Sequence, residues 1–498
     1  MATRLSVPEA TALYAQTSTT PAHTVSVIVL EASEQLSHDR LGQWVAAGLP
    51  RLARFRSRLV GKPFSVGQPI WAEIDDYEPA PQIHRATAPA LGGERQLADF
   101  VTELTSGHQD WCSWLWEAWT IDGLAGGRWA LAVKMSPVLS GDGSGAAAIR
   151  KCLLASAPRS ESSAPTEVGA GPPPSLSELV SDTLSEMVEN QITGAWMLTE
   201  ALTGALLAAR RTLQDAGEPT VDTHTASSMS GPVPVTVFDA PLTKRRSMAF
   251  VSVPTADVKA ISDAFGGNSA NVLLAACTLS LRAWLQRHDV VPPEALLMEV
   301  PLSLPAGDPA EAGETVAMGR VRIPVQLDDP VEVLTNLHTA TERLNIANSD
   351  GDEDSVGTID LESMVSLLPP WAARAGMQMY QKLGMARPGA PTCHGSISFV
   401  GGTLGPLFCA GAEVVGMYTA EPMVQRRGLN ITVTSHAEAM DLCVTACPDN
   451  VPDVDDFASG ITDALCALLK AAERSPRGEG RSVVTEMTSH TGKRSRRA

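Results

Sequence analysis

The sequence predicts an α/β protein of two lobes of similar size, joined by a crossover. The 498-residue chain is 44% hydrophobic, which is enough for more than one core. Strand-like and helix-like stretches alternate up to residue 155, and the same mixture returns after residue 245. We predict an N-terminal lobe at 1–155, a linker and crossover helix at 156–245, a C-terminal lobe at 246–474 and a basic disordered tail at 475–498.

The elements of each lobe follow from local patterns. In the first lobe, apolar runs predict strands at 24–30 and 128–133, and an amphipathic pattern predicts helices at 40–59 and 146–155. The linker at 156–177 is rich in Ser, Pro and Gly and leads into a long helix predicted at 176–216.

In the second lobe, capping residues and alternation mark the elements. Asp329 followed by Pro330 predicts a helix start. The other predicted elements are a helix at 268–288, strands at 295–302 and 316–327, a hairpin at 429–433 and 442–446, and a closing helix at 454–473.

Charge and cysteine content limit the partners and the compartment. The net charge of −18 argues against nucleic acid as a partner, because phosphate binding needs a basic face. The Lys- and Arg-rich tail either touches anionic lipid or nucleic acid or, as the simpler expectation, is a solvated end. Eight scattered cysteines favour reduced thiols in the cytoplasm and no metal site. No apolar run reaches about 18 residues, so any membrane contact is expected to be peripheral, on the inner membrane or lipid droplets.

The turn after the strand at 128–133 reads Lys-Met-Ser-Pro-Val-Leu-Ser-Gly-Asp-Gly-Ser-Gly from Lys134 to Gly145. It resembles the H-H-x-x-x-D-G signature of a large acyltransferase superfamily with both histidines missing. Counting back from Asp142 puts Pro137 and Val138 in the histidine positions, whereas counting forward from Lys134 puts Ser136 and Pro137 there. Asp142 and Gly143 keep their places in the first register.

An ordered series of further motifs is similar to the bacterial wax ester synthase / diacylglycerol acyltransferase family, most like its actinobacterial members, from about residue 5 to 472. The matching segments are Leu5-Ser-Val-Pro-Glu-Ala, Thr19-Thr-Pro-Ala-His23, Leu115-Trp116-Glu117, Gly127-Arg128, Leu281-Arg282 and Val300-Pro-Leu-Ser303. Trp114 stands for a proline of the family. The family's N-D-V-x-L-A reads Ala270-Asn271-Val272-Leu273-Leu274-Ala275 and lacks the aspartate.

The resemblance implies two chloramphenicol-acetyltransferase-like lobes with a tunnel between them. The implied reaction moves a long-chain acyl group from CoA to a diacylglycerol or alcohol, giving triacylglycerol or wax ester, with acyl-CoA as co-substrate and no cofactor. The resemblance also implies structural roles for Asp142, Gly143, Asn271, Trp116 and Glu117. For Trp111 and Trp114 a place in an acyl groove or at a membrane surface competes with ordinary core packing.

The missing histidines predict weak or lost activity, because a hydroxyl needs a base to attack a thioester and such a base contributes about 10² to 10⁴-fold. His108, His394 and His436 are candidate substitutes, although ordinary structural roles are the simpler expectation for each. His338 is expected to be structural. The alternatives are a non-catalytic lipid-binding or regulatory protein, acting alone or with an active paralogue, and altered acyl-transfer or condensation chemistry on the same fold.

Overall fold

The structure is a computed structural model that describes most of the chain outside the crossover and the tail. The described residues are 3–17, 19–62, 68–74, 76–89, 91–106, 114–140, 145–158, 233–301, 318–349, 375, 393–403, 405–436 and 438–474. The predicted helix at 176–216 and the tail lie outside them, as do His108, Trp111, Asp142 and Gly143. Because most of the crossover, residues 159–232, is not among them, the predicted unit boundaries stay predictions.

The described elements alternate strands and helices in both halves, as the sequence predicts. In chain order they are β1 (Thr3–Arg4), α1 (Val7–Ala15), β2 (Thr24–Leu30), α2 (His38–Gly48), β3 (Ser57–Val60), β4 (Ile70–Glu73), β5 (Ile83–Thr87), α3 (Glu94–Ser106), β6 (Trp116–Asp122), β7 (Trp129–Met135), α4 (Gly145–Leu153), β8 (Ser247–Pro254), α5 (Thr255–Phe265), α6 (Ser269–His288), β9 (Leu296–Pro301), β10 (Met318–Ile323), α7 (Pro330–Ser349), β11 (Gly395–Thr403), β12 (Phe408–Cys409), β13 (Ala412–Ala420), β14 (Leu429–His436), β15 (Ala439–Ala446) and α8 (Val454–Arg474).

The first lobe is built on a six-stranded mixed sheet in the order β12-β13-β2-β7-β6-β5. Only β5 and β6 pair in parallel. One face packs against α1, α2 and α4 through residues such as Ile28, Leu131 and Val133. The other face packs against α3 and β8 through the alternate residues of the same strands, such as Val27 and Ala132. Burial on both faces explains why these strands read as nearly continuous apolar runs.

The second lobe has a six-stranded mixed sheet in the order β10-β9-β11-β14-β15-β8. β11 lies parallel to both of its neighbours. Helices α5, α6, α7 and α8 cover one face, on which Ile431 and Val433 of β14 and Leu442 of β15 form the core. α6 is apolar on nearly all sides because α7, α8 and the sheet surround it.

The second half of the chain contributes two strands to the sheet of the first lobe. After β11 the chain leaves the second lobe, adds β12 and β13 to the sheet of the first lobe, and returns as β14. β13 pairs with β2 from Val414 opposite Leu30 to Ala420 opposite Val25. The edge of the first sheet is therefore built from residues that follow the predicted boundary at 245.

Local chemistry explains where several helices begin and end. Asp329 caps α7 as predicted, since its Oδ1 accepts from the backbone N–H groups of Val331 at 2.9 Å and Glu332 at 2.8 Å. The single helix predicted at 40–59 is wrong beyond Gly48. Pro50 lacks a backbone N–H, and the chain continues through two short 3-10 turns into β3.

No single helix in the described part of the chain combines the length and the apolar composition needed to cross a membrane. α5 and α6 satisfy that criterion only when they are taken together, and they are bent by 99° at the break between them.

Candidate active site between the lobes

The segment in place of the histidine motif leaves β7 and enters α4. The backbone N–H of Ser136 donates to the carbonyl oxygen of Leu115 at 2.8 Å, and Pro137–Ser140 forms one 3-10 turn. Val138 has no exposed surface and lies in the hydrophobic core of the first lobe, beside α1. The side chain in the second histidine position, counted from Asp142, therefore fills core space and offers no proton acceptor.

The strand register places Glu421 at the same level of the sheet as this turn. β13 and β7 run parallel to each other on either side of β2, because Ala420 and Lys134 both pair with Val25. Glu421, the residue after β13, thus lies two strands away from Met135, or about 10 Å at the usual spacing between strands.

A seam of polar side chains lies where the sheet of the second lobe meets β13. The face of that sheet opposite its core carries Ser398 of β11 and Thr432 and Thr434 of β14, and across from them stand Thr419 and Glu421. Thr419 pairs with Ser26 of β2, whose side chain points to the same face of the first sheet. We call these residues the interlobe seam: Ser26, Ser398, Thr419, Glu421, Thr432 and Thr434.

Glu421 is the acidic residue of the interlobe seam. The hydroxyl of Ser398 donates to its Oε2 at 2.7 Å, and the same hydroxyl lies 3.3 Å from Oγ1 of Thr432. Burial raises the pKa of the Glu421 carboxyl, and the hydrogen bonds from Ser398 and Thr432 only partly oppose this shift. A carboxyl group of raised pKa thus lies level with the turn that lacks histidine.

A small cavity opens in the seam, with room for about one water molecule. It lies between the two lobes, since α4 and β2 contribute Arg150 and Ser26, β13 contributes Met417 and Thr419, and the second sheet contributes Thr434. Val400 also lines it, at the start of the irregular stretch of β11 where its register against β14 shifts.

Two of the three candidate histidines are described, and neither lies at the turn. His394 is 1% exposed; its Nε2 lies 2.8 Å from the carbonyl oxygen of Pro234 and its Nδ1 lies 3.1 Å from the backbone nitrogen of Leu297. Backbone groups of residues 234 and 297 thus occupy both ring nitrogens, and Oδ2 of Asp239 lies 3.5 Å from Nε2.

His436 forms a buried pair with Asp441 across the β14–β15 hairpin. Its Nε2 lies 2.7 Å from Oδ2 of Asp441, and the same oxygen accepts from the backbone N–H of Met417 at 2.5 Å. Met417 lies opposite Ile28, in the middle of β2, so the pair meets β13 four residues before Glu421. The pair joins the two sheets, but it lies away from the turn.

The other predicted site residues occupy separate places. Asn271 is buried in the second lobe, where its Nδ2 lies 3.0 Å from Nδ1 of His338 and its Oδ1 accepts from Thr341 at 3.0 Å. Trp116 is buried in the first lobe and donates to the carbonyl oxygen of Phe55 at 2.8 Å. Glu117 lies 3.3 Å from Nε2 of His84. Trp114 is 38% exposed and packs edge-on against Tyr77.

No group of three or more His, Cys, Asp or Glu side chains in the described ranges is arranged to hold a metal ion. The residues that sequence reasoning missed are Ser26, Arg150 and Glu421. Of these three, only Arg150 could have been noticed in the sequence. It follows Gly-Ala-Ala-Ala-Ile in α4, and a charged residue is rarely buried in a helix at a lobe junction without a functional reason.

The fold and this site define a two-lobed acyltransferase-type protein. The catalytic-domain profile of the wax ester synthase/diacylglycerol acyltransferase family matches residues 5–273, and its C-terminal-domain profile matches residues 312–469. The chain belongs to the wax ester synthase/diacylglycerol acyltransferase family.

Individual relatives support the same family assignment. A Mycobacterium tuberculosis protein assigned as a diacylglycerol O-acyltransferase is 26% identical over 487 residues, which cover 95% of this chain and 92% of the relative. A second protein of that organism with the same assignment is 26% identical over 436 residues, covering 86% of this chain and 88% of the relative.

Solved structures confirm the fold. The wax ester synthase/diacylglycerol acyltransferase from Marinobacter aquaeolei VT8 matches with a TM-score of 0.67 at 20% identity, over 95% of this chain and all of the other. The first condensation domain of the CDA synthetase matches with a TM-score of 0.50 at 13% identity, over 95% of this chain and 97% of the other. At these identities the likeness concerns the fold alone, and it bears out the predicted two-lobed class.

Proposed function

We propose that the protein binds acyl-CoA and a diacylglycerol or long-chain alcohol between its lobes, and transfers the acyl group slowly or not at all. The observation that carries this proposal is Val138, a fully buried aliphatic residue where a family member needs an imidazole. Its relatives are assigned as diacylglycerol O-acyltransferases, which supports the choice of substrates.

The chemistry explains the expected low rate. The acceptor oxygen must bond to the thioester carbon while the carbon–sulfur bond breaks, and the hydroxyl proton must go to a base. A positioned base contributes about 10² to 10⁴-fold, or about 3 to 5 kcal/mol of barrier, and orientation of the substrates supplies a separate share. Slow transfer by orientation alone is therefore consistent with a site that lacks histidine.

The test compares the purified full-length chain with a histidine-bearing family member. Binding of dodecanoyl-CoA is measured by titration calorimetry, and CoA release with dioleoylglycerol or hexadecanol by thiol detection. We expect saturable binding together with CoA release at least about 100-fold slower than in the relative. Rates equal to those of the relative contradict the proposal, as does the absence of binding.

The second candidate function is a lipid-binding or regulatory protein without turnover. It is favoured by the way Val138 is packed, because a core side chain leaves no space at that position for an acceptor hydroxyl. Saturable binding of acyl-CoA with no CoA release above the uncatalysed rate supports this candidate. Co-purification with a histidine-bearing paralogue from the native cell tests the regulatory form.

We also propose that the lipid acceptor is drawn from a membrane or lipid-droplet surface, with the protein bound there peripherally and without a cofactor. The Lys- and Arg-rich segment at 475–498 supports this by its charge. Flotation with phosphatidylglycerol vesicles should depend on that segment and weaken as salt rises. Flotation that is unchanged after removal of 475–498 excludes the segment as the contact.

A further inference from the structure

Two polar atoms at the interlobe cavity have no hydrogen-bond partner. Nη1 of Arg150 and Oγ of Ser26 are both shielded from solvent, and neither has a partner within the described residues. Ser26 is 6% exposed. Buried polar atoms are paired in the great majority of cases, so two unpaired ones beside a single cavity require an explanation.

The unpaired cation is the costlier of the two. Burial lowers the pKa of the Arg150 guanidinium, and no carboxylate among the described residues forms an ion pair with it. A charged nitrogen without a partner among the described residues lowers stability, because the interior does not replace its lost hydration. An apolar residue at position 150 would lie beside Ile28 and Met417, which line the same cavity, without that cost.

The size of the cavity limits the ligand. Space for about one water molecule accepts one oxygen atom of a ligand and excludes a whole phosphate group. The neighbouring polar groups are hydroxyls of Thr419 and Thr434, which can donate as well as accept. A donor set of one guanidinium and several hydroxyls is suited to an oxygen that carries partial or full negative charge.

We propose that Arg150 and Ser26 form a binding site for one acyl oxygen atom, the carbonyl oxygen of the acyl-CoA thioester. The inference rests on the proposed function, because acyl-CoA is the ligand there. When a hydroxyl adds to the thioester carbon, the π electrons of the C=O bond move to this oxygen, and the guanidinium stabilises the charge. Collapse restores the C=O bond, breaks the carbon–sulfur bond and releases CoA, whose thiolate takes up the proton lost by the hydroxyl.

The experiment uses two ligands that differ in one oxygen atom. Dodecanoyl-CoA carries the thioester carbonyl, whereas S-dodecyl-CoA is the thioether without it. Titration calorimetry of the full-length chain should show dodecanoyl-CoA binding about tenfold to a hundredfold more tightly, the size of one hydrogen bond to a charged group. Arg150→Met should abolish this preference, Ser26→Ala should reduce it, and Arg150→Lys should restore part of it.

The control variant is Lys151→Met, which removes the exposed cation next to Arg150 on α4 and should keep the preference of the wild type. Thermal unfolding gives a second readout. Arg150→Met should raise Tm, because it removes a charged nitrogen that no described residue pairs with, whereas a residue that only holds the fold together would lower Tm when it is replaced.

The outcomes separate the two proposals. If neither CoA derivative binds, the proposed function is wrong. If both bind equally well, or if Arg150→Met keeps the preference, the function stands and this inference is overturned. Binding of free dodecanoate that depends on Arg150, without any preference between the two CoA derivatives, assigns the site to a fatty-acid carboxylate and also overturns the thioester assignment.

Discussion

Val138 connects the chemistry of the site with the packing of the first lobe. Its position follows a strand that is buried on both faces, and its side chain completes the core beneath α1 and α4. A return to histidine at this position must therefore place a polar ring in space that a valine fills. A substitution that restores a histidine base at position 138 therefore also disrupts the packing of the core.

We predict that Val138→His destabilises the protein by about 2 to 4 kcal/mol without increasing CoA release. The physical reason is the burial of a larger polar ring in an apolar core. Urea denaturation gives the change in the free energy of unfolding. Val290→His, at a valine that is 76% exposed, is the control and should change stability little. A stable Val138→His variant with faster CoA release would show that the pocket is intact.

Glu421 makes stability depend on pH. Because burial raises the pKa of its carboxyl above the ordinary 4.5, the folded state holds the proton more tightly than the unfolded state. Its contribution to stability is fully present below pH 4.5 and declines as pH rises through the raised pKa. Glu421→Gln should therefore flatten the dependence of the midpoint urea concentration on pH above 4.5 and raise that midpoint at pH 7.

The control for this effect lies on the same strand. Glu413 of β13 is exposed, and Glu413→Gln should leave the pH dependence as it is in the wild type. If Glu421→Gln keeps the full pH dependence, the carboxyl that titrates is another one. Glu94 is then the next group to replace, because burial and the nearby Asp441 raise its pKa.

At the scale of elements, a buried carboxylate ties the β14–β15 hairpin to β13. Asp441 has no exposed surface, and its Oδ2 meets both the ring of His436 and the backbone N–H of Met417. Asp441 of the second lobe thereby accepts a hydrogen bond from a backbone N–H group on the outer edge of β13. A hydrogen bond of this kind satisfies a backbone donor that no neighbouring strand reaches.

We predict that Asp441→Ala lowers the free energy of unfolding by about 3 to 5 kcal/mol, because it leaves the partners of a buried pair unsatisfied. Glu438→Ala, at an exposed position of the same hairpin, should cost less than about 0.5 kcal/mol. The double variant with His436→Phe should lose less than the sum of the two single variants, as expected for residues in contact. Strictly additive effects would mean that the pair is not coupled.

Elements with local signals could be predicted from the sequence, and elements that depend on distant partners could not. The cap at Asp329 and the alternation in β14 and β15 act within a few residues, so α7 and the hairpin were predicted correctly. β13 pairs with β2, almost 400 residues earlier, and no local pattern encodes that choice. The same holds for the interlobe seam and its cavity, because only the fold brings Ser26, Arg150 and Glu421 to one junction.

At the scale of the whole molecule, the contribution of β12 and β13 to the first sheet makes the first lobe depend on the second half of the chain. The seven residues of β2 have β7 on one side and β13 on the other, so the first sheet is incomplete without residues 412–420. The lobes are therefore expected to unfold together, even though each has its own core.

We predict a single thermal transition for the full chain, by calorimetry and by circular dichroism alike. A fragment ending at residue 245 should aggregate, because β2 then presents an unpaired apolar edge. Co-expression with the fragment 246–498 is the control and should restore a soluble complex. Two separate transitions, or a soluble and folded 1–245 fragment, would contradict this view of the fold.

The late arrival of β13 also bears on how the protein is made. About 285 residues separate the end of β7 from the end of β13. At roughly 5 to 20 residues per second, the ribosome needs roughly 15 to 60 s to supply the missing strand after β7 has emerged. During that interval the nascent first lobe exposes the unpaired apolar edge of β2. We therefore expect newly made chains to bind a chaperone that covers this edge until synthesis is nearly complete.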